Sequence, residues 1–357
     1  MARRAVIVSY RLGGTDGVSV EATKWSWALT ELGFTVRRVA GEILDDGKHS
    51  DVVLPGLAID ATVGPDPVEV GDALGDDDLV VVENLCSLPL HEAASRVVGD
   101  VLQRRGGRVL LHHHDLPWER RRFEHVRGIP PDIDGALHVT INERAWSRLT
   151  VHGIRAVRIP NLFDPREPGG DREGTRSLAG IEPDDVLLLQ PTRAIERKNL
   201  PAGLRFGAVL DTLTDRTVRY WITGPPEEGY GKTWAALLNA SPLECLTGRA
   251  RSVADAYAAA DAVVFPSTVE GFGNPIVEAA LARRPLVVGS VGLHREHYDA
   301  GLQMFTVGNP EGVAAWLADP EPFFLERNRE AAIAAYSLTT LPDRITDAFR
   351  GAGWTEW

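Results

Sequence analysis

The chain has 357 residues, 44% of them hydrophobic and 25% charged, the balance of an ordinary soluble globular protein and enough for two domains with separate cores. A formal net charge of −12 argues against nucleic acid or an anionic membrane surface as the main partner, because both select basic faces. The cysteines, Cys86 and Cys245, are too few and too far apart to suggest a disulfide framework or a zinc site, and no apolar run approaches the roughly 20 residues of a membrane span.

Met1-Ala-Arg-Arg-Ala-Val-Ile-Val-Ser9 runs directly into a strand-like segment with no signal-peptide core, so a cytoplasmic, reducing location is expected. Ala5 to Ser9 reads as the first strand. A glycine-rich turn over residues 11–19 follows, then a helical pattern from Val20 to Leu32 with Gly33 as its C-cap. The turn lacks G-x-G-x-x-G spacing, which weakens a dinucleotide-binding reading. Strands are expected at Thr35 to Val39, Leu79 to Val82, Val109 to His112, Leu137 to Ile141 and Arg155 to Ile159, with a helix at Leu90 to Arg104. This alternation is that of a doubly wound, mostly parallel sheet. The acidic run Asp76-Asp-Asp78 reads as the polar approach to the strand at Leu79 rather than as a D-x-D metal motif.

Residues 164–175, polar and rich in Pro and Gly, read as an interdomain linker. The alternation then restarts. Strands are expected at Val186 to Gln190, Val218 to Thr223, 262–265 and Leu286 to Gly289. Helices are expected at Leu200 to Leu213, Lys232 to Asn239, Val253 to Ala260 and 275–283. The fold expected is therefore α/β, with two Rossmann-like halves facing across a cleft: residues 1–163, residues 164–339, and a C-terminal segment, 340–357, containing an amphipathic piece.

The stretch Ala262 to Leu281 carries the most information. A buried strand leads into a loop holding Glu270, Gly271 and Gly273, then a helix with Asn274 as expected N-cap and Pro275 in its first turn. Glycines let backbone N–H groups approach a ligand, and a helix N-terminus favours a phosphate or sugar hydroxyl. Glu278, one turn in, adds a second carboxylate. After the strand ending at Gln190 comes Pro191-Thr-Arg-Ala-Ile-Glu-Arg-Lys-Asn199. Arg193 and Lys198 stand there at a strand's carboxyl end, with cations suited to a diphosphate leaving group.

Glu270-Gly-Phe-Gly-Asn-Pro-Ile-Val-Glu278 resembles the E-x7-E signature of the nucleotide-sugar-dependent retaining glycosyltransferases of family 4, which have the GT-B fold. It departs from the usual pattern at Asn274, where a hydrophobic residue normally stands. Arg193 and Lys198 resemble the family's R-x4-K diphosphate clamp, Arg197 being a neighbour without a settled role. The resemblance implies that Glu278 binds the ribose and that Glu270 faces the donor sugar. It places the amides of Gly271, Phe272, Gly273 and Asn274 along the sugar and β-phosphate, and those of Gly13 and Gly14 at the diphosphate. It also implies that the C-terminal segment crosses back to the first domain.

Leu110-Leu-His-His-His-Asp-Leu-Pro-Trp118 is more ambiguous. Consecutive strand residues point to alternate sides, so three neighbouring histidines cannot all meet one ion and no metal site is expected. His112 with Asp115 reproduces the family's spacing, which makes His112 a contact to donor sugar or acceptor and His114 an alternate. Glu83, Asn84, Asp115 and the cluster Arg120, Arg121 and Arg122 are candidate acceptor contacts, the arginines for an anionic acceptor. Ile159-Pro-Asn-Leu-Phe-Asp164 resembles the family's P-N-x-x-D turn and carries no chemistry.

The activity implied is transfer of a sugar from a nucleotide diphosphate sugar, UDP- or GDP-linked, to an acceptor hydroxyl with retention and without a metal or other cofactor. The alternatives are a GT-B epimerase, a sugar phosphorylase, or a non-catalytic nucleotide-sugar sensor.

Overall fold

The computed structural model describes residues 3–166, 169–289 and 294–355. The chain forms two compact units, Met1–Leu162 with Leu338–Trp357, and Phe163–Ser337. Each is a parallel sheet in which most consecutive strands are joined by helical crossovers, the usual connection between parallel strands.

The first unit is β1 (Arg3–Leu12), α1 (Gly17–Glu31), β2 (Phe34–Ile43), β3 (Val52–Val53), α2 (Pro67–Leu74), β4 (Leu79–Glu83), α3 (Glu92–Arg105), β5 (Arg108–His113), β6 (Leu137–Thr140), α4 (Glu143–Val151) and β7 (Ala156–Arg158). Its strands lie in the order β3-β2-β1-β4-β5-β6-β7. The sequence order reverses between β1 and β4, and open α/β sheets bind ligands beyond the carboxyl ends of the strands at such a point. Val80 and Val82 on β4 and Val109 and Leu111 on β5 are buried in the core, and the near-continuous apolar runs reflect a sheet covered on both faces. α1 starts three residues earlier than its apolar pattern indicates. Asp16 caps it by accepting from the Ser19 N–H at 3.2 Å and the Ser19 hydroxyl at 2.8 Å.

Gly41, near the end of β2, is required for close approach: a Cβ there would run into the backbone of Ala58. Gly41→Ala is expected to destabilise the protein by about 1–3 kcal/mol, read as a lower urea midpoint. An unchanged midpoint would show that the 55–58 turn yields freely.

The second unit is α5 (Arg172–Leu178), β8 (Val186–Gln190), α6 (Leu200–Asp211), β9 (Val218–Ile222), α7 (Gly231–Ala240), β10 (Glu244–Thr247), α8 (Val253–Ala259), β11 (Ala262–Phe265), α9 (Asn274–Leu281), β12 (Leu286–Val288), α10 (His294–Asp299), β13 (Phe305–Thr306), α11 (Pro310–Ala318) and α12 (Pro322–Tyr336). Its sheet runs β10-β9-β8-β11-β12-β13, so the order reverses between β8 and β11. α13 (Leu341–Gly351) belongs to the first unit, where its buried face of Leu341, Ile345, Ala348 and Phe349 lies beside α1.

Three expectations are corrected. The segment 164–175 is not irregular throughout: Asp171 caps α5 by accepting from Gly174 N–H, and Arg172 and Arg176 then bind Asp261 at 2.6 and 3.1 Å. Glu167 and Pro168 of that segment lie outside the described residues. Asn274 is not the cap of α9 but its first residue; the cap is Gly273, at φ +94°, a left-handed conformation that a glycine adopts without strain. The helices α2, α4, α10, α11 and α12 and the short strands β3, β10 and β13 escaped the sequence reading. The acidic run before β4 is structural: Asp77 pairs with Arg37 at 2.5 Å and Asp78 accepts from the Arg4 N–H at 2.7 Å.

Candidate active site

In the second unit the loops after β8 and β11 meet at the reversal point and are laced together. Thr268 N–H donates to the Arg197 carbonyl at 2.8 Å, and the Asn199 amide donates to the Pro266 carbonyl at 3.2 Å. These bonds join groups 71 and 67 residues apart. The Lys198 ammonium donates to Glu270 Oε1 at 2.5 Å and the Arg197 guanidinium to Glu270 Oε2 at 3.2 Å, while Lys198 also sits 5.2 Å from the centre of the Phe265 ring. Both partners are largely out of water, with side-chain exposures of 11% for Lys198 and 8% for Glu270. Burial pushes the Lys198 pKa down, with the Glu270 charge offsetting part of the effect. Burial alone would raise the Glu270 pKa, but Lys198 and Arg197 outweigh it and hold the carboxyl below its ordinary range. Glu270 is therefore an ionised hub that keeps two cations in place, and Arg197, without a settled role from sequence, is one of them.

Arg193 is exposed and donates to Glu227 at 2.6 Å. Nothing in the sequence pointed to Glu227, which follows the adjacent strand β9; Ala194 N–H donating to the Pro225 carbonyl at 3.0 Å brings the two loops together. Glu278 is half-buried on α9 and accepts a short hydrogen bond from the hydroxyl of Tyr257 on α8. Tyr257 is fully buried and was also missed; burial, with the Glu278 charge, keeps its hydroxyl protonated well above pH 10. Gly271 and Asn274 are half-buried at the start of α9, and Phe272 is buried between His297, whose Nε2 lies 2.9 Å from the Phe272 carbonyl oxygen, and Tyr336.

In the first unit Gly13 and Gly14 occupy the turn between β1 and Asp16. Glu83 ends β4 directly opposite His112 on β5. Strand alternation sends His113 to one side and leaves His112 and His114 on the other. His112 Nδ1 lies 2.9 Å and His114 Nε2 2.9 Å from the same oxygen, Oε2 of Glu83. The alternation argument thus holds for three histidines but not for two: one donor atom from each of Glu83, His112 and His114 falls within 4.8 Å of the others, a spacing that could also hold a metal ion. Glu83 is completely buried. Its own burial favours the neutral acid, yet the two imidazoles hold its pKa down to about 2. For His114 burial favours the neutral ring, and Glu83, with Glu21 and Asp115, outweighs it and raises the pKa.

The other candidates shape the loop. Asn84, at φ +59°, accepts through its side-chain oxygen from the N–H groups of His114 and Asp115 at 3.1 and 3.3 Å. Asp115 binds Arg120 at 2.6 Å, so neither stands free. Arg122 lies over the Phe123 ring at 5.1 Å, and Arg121 is exposed. On the opposite side of β5, His113 bridges Ser87 at 2.6 Å and His138 at 2.9 Å.

Two parallel-sheet Rossmann-like units, each with its charged loops at the reversal point, make up the fold of the GT-B glycosyltransferases. Structures of similar fold include Anabaena HepE in complex with UDP-glucose (TM-score 0.74, 16% identity, covering 98% of this chain and 99% of that one). Sucrose-phosphate synthase from Thermosynechococcus elongatus is another (TM-score 0.74, 14% identity, covering 99% and 100%). Residues 204–319 match the family described as "Glycosyl transferases group 1". Over 374 aligned residues it is 28% identical to mannosylglucosylglycerate synthase of Thermotoga maritima, covering 86% of this chain and 85% of the relative. The protein of the same name from Petrotoga mobilis is 24% identical over 373 residues, covering 85% and 86%. No helix among the described residues is long and apolar enough to cross a membrane.

Proposed function

We propose that this glycosyltransferase moves a sugar from a nucleotide diphosphate sugar to an acceptor hydroxyl with retention at the anomeric carbon, needing no metal. The observation that carries the reading is the Lys198–Glu270–Arg197 ensemble at the β8/β11 reversal point. Departure of a nucleoside diphosphate builds negative charge on its terminal phosphate, and cations already oriented in a water-poor site stabilise that charge without reorganising. Lys198, with Arg193 and Arg197, supplies them, together with amides of the 271–274 turn. The diphosphate oxygen then receives the acceptor's proton on the face from which it leaves. No protein nucleophile is needed. Glu278, oriented by Tyr257, binds the ribose hydroxyls, and the first unit, with His112, holds the acceptor side.

The donor is a UDP- or GDP-sugar. The names of the two curated relatives, which describe a mannosylated glucosylglycerate, make GDP-mannose and a glucosylated hydroxy acid the first pair to test. An anionic acceptor also fits the exposed Arg121. A thermal-shift series of UDP-, GDP-, ADP- and TDP-sugars tests the donor site. The right donor is expected to add about 2.7 kcal/mol at a hundredfold excess over Kd, and no shift with any of them overturns the reading. Product NMR then reports the anomeric configuration; an inverted product removes the same-face step.

Glu278→Ala is expected to weaken nucleotide diphosphate binding by roughly tenfold or more, the worth of hydrogen bonds to a charged group, with Tyr257→Phe having a smaller effect of the same sign. Calorimetric titration with UDP and GDP checks this, and unchanged affinities in both variants would remove Glu278 from the nucleotide site.

A further inference from the structure

We propose that Glu83 is a positioning residue that holds His112 in the Nδ1-protonated form, so that His112 Nε2 accepts a hydrogen bond from a substrate hydroxyl. The inference rests on the sugar-transfer reading only for the identity of that hydroxyl. An ionised carboxylate can only accept, so the imidazole nitrogens 2.9 Å from its Oε2 must both carry protons: Nδ1 of His112 and Nε2 of His114. The second His112 nitrogen, Nε2, is buried and has no hydrogen-bond partner among the described residues. A buried polar atom without a partner is costly, which is why such atoms are rare outside sites completed by a ligand.

Charge settles which form Nε2 takes. Burying one carboxylate with two imidazolium rings would leave an unpaired positive charge, whereas one charged ring neutralises it. His114 is the ring that takes the charge: Glu21 on α1, itself paired with Lys24 at 2.5 Å, and Asp115 on the turn after β5 both act on it in addition to Glu83. In the proposed form His112 carries its proton on Nδ1, towards Glu83, and keeps a lone pair on Nε2. Its ring is held between Trp25 on α1, 4.6 Å between centroids, and His114 at 4.5 Å, which fixes the direction of that lone pair. An acceptor nitrogen selects a hydroxyl, not a phosphate oxygen. The same three side chains could also grip a cation, but histidines that bind metal almost always donate their other N–H to a neighbour, and among the described residues His112 Nε2 has none.

The test is a long-range ¹H–¹⁵N spectrum of histidine-labelled protein near neutral pH, with the His112 signals assigned by their loss in His112→Asn. The expected result is a pyridine-type Nε2 and a protonated Nδ1 in the free protein, with Nε2 shifting on addition of UDP-glucose or GDP-mannose plus acceptor. In Glu83→Gln, whose amide can donate as well as accept, the two His112 tautomers are expected to mix. There kcat/KM falls roughly tenfold, one hydrogen bond's worth, while the thermal shift produced by free UDP or GDP is unchanged. A protonated Nε2 in wild-type protein, or an unmixed tautomer in Glu83→Gln, overturns the proposal. So does a Co(II) absorption band that disappears in Glu83→Gln, which would make the triad a metal site. Because the tautomer is read in the free protein, its failure is separable from failure of the donor-binding reading, which the nucleotide-sugar thermal shifts test alone.

Discussion

Lys198→Ala is expected to lower kcat by about 10²- to 10³-fold while the Kd for the nucleotide diphosphate changes only a few-fold, the pattern of a group whose interaction strengthens as the leaving group acquires charge. Three structural facts make the effect large. The ammonium is buried, so its field is weakly screened; Glu270 holds it at 2.5 Å; and its placement is anchored by the loop contacts from Arg197 and Asn199. The substitution also leaves Glu270 without its closer cation, and breaking a fully buried pair costs about 3–5 kcal/mol. Arg197 at 3.2 Å retains part of the compensation. Thermal stability should therefore be measured beside activity, at a temperature where the variant remains folded. A folded variant with kcat within threefold of wild type would remove Lys198 from the chemistry. A raised Kd with unchanged kcat would reduce it to a ground-state anchor.

Stability should fall as pH is lowered from about 6.5 towards 4. His113 and His138 are buried against each other, and desolvation pushes both pKa values down, that of His138 to about 4. In the unfolded chain each titrates near 6.5, so between those values the unfolded state binds more protons and gains from acid. The contribution is fully present above pH 6.5 and lost as pH falls through the window. For His138 alone, a shift from 6.5 to about 4 corresponds to about 3 kcal/mol. In the second unit His294, held down to about 4 by burial, and His297, also lowered by burial, act in the same direction. His114 has the opposite sign: its raised pKa gives stability that is present below 6.5 and lost as pH rises through the folded value, a separate alkaline window. Glu83 acts lower still, between 4.5 and about 2. Urea midpoints across pH 4.5–8 check the acid limb, and His138→Gln should flatten it by one proton's worth, about 1.4 kcal/mol per pH unit. An acid limb as steep in the variant as in the parent would locate the proton uptake elsewhere.

Much of this protein can be read without coordinates because local patterns carry it. The apolar runs of β4, β5, β8 and β11 read as buried parallel strands, and their alternation with helices implies two doubly wound sheets. The strand–loop–helix stretch around Glu270 and Glu278 identifies the enzyme class. The helices α11 and α12 are not legible because their apolar residues do not gather on one face, so they lack a clear helical period. The α5 helix was hidden by Pro and Gly just upstream of its Asp171 cap.

The sequence by itself determined the class of fold, the chemical character of each loop, and the presence of acids and cations with the spacing of sugar-nucleotide chemistry. It could do so because hydrophobic period, glycine and proline placement, and motif spacing are properties of neighbouring residues. Only the tertiary structure decided which charge answers which: Lys198 and Arg197 to Glu270, Arg193 to Glu227, Tyr257 to Glu278, and Glu83 to two histidines rather than to solvent. Those pairings follow from strand order and register, which bring side chains from distant segments within hydrogen-bond distance of each other, and burial then biases their protonation.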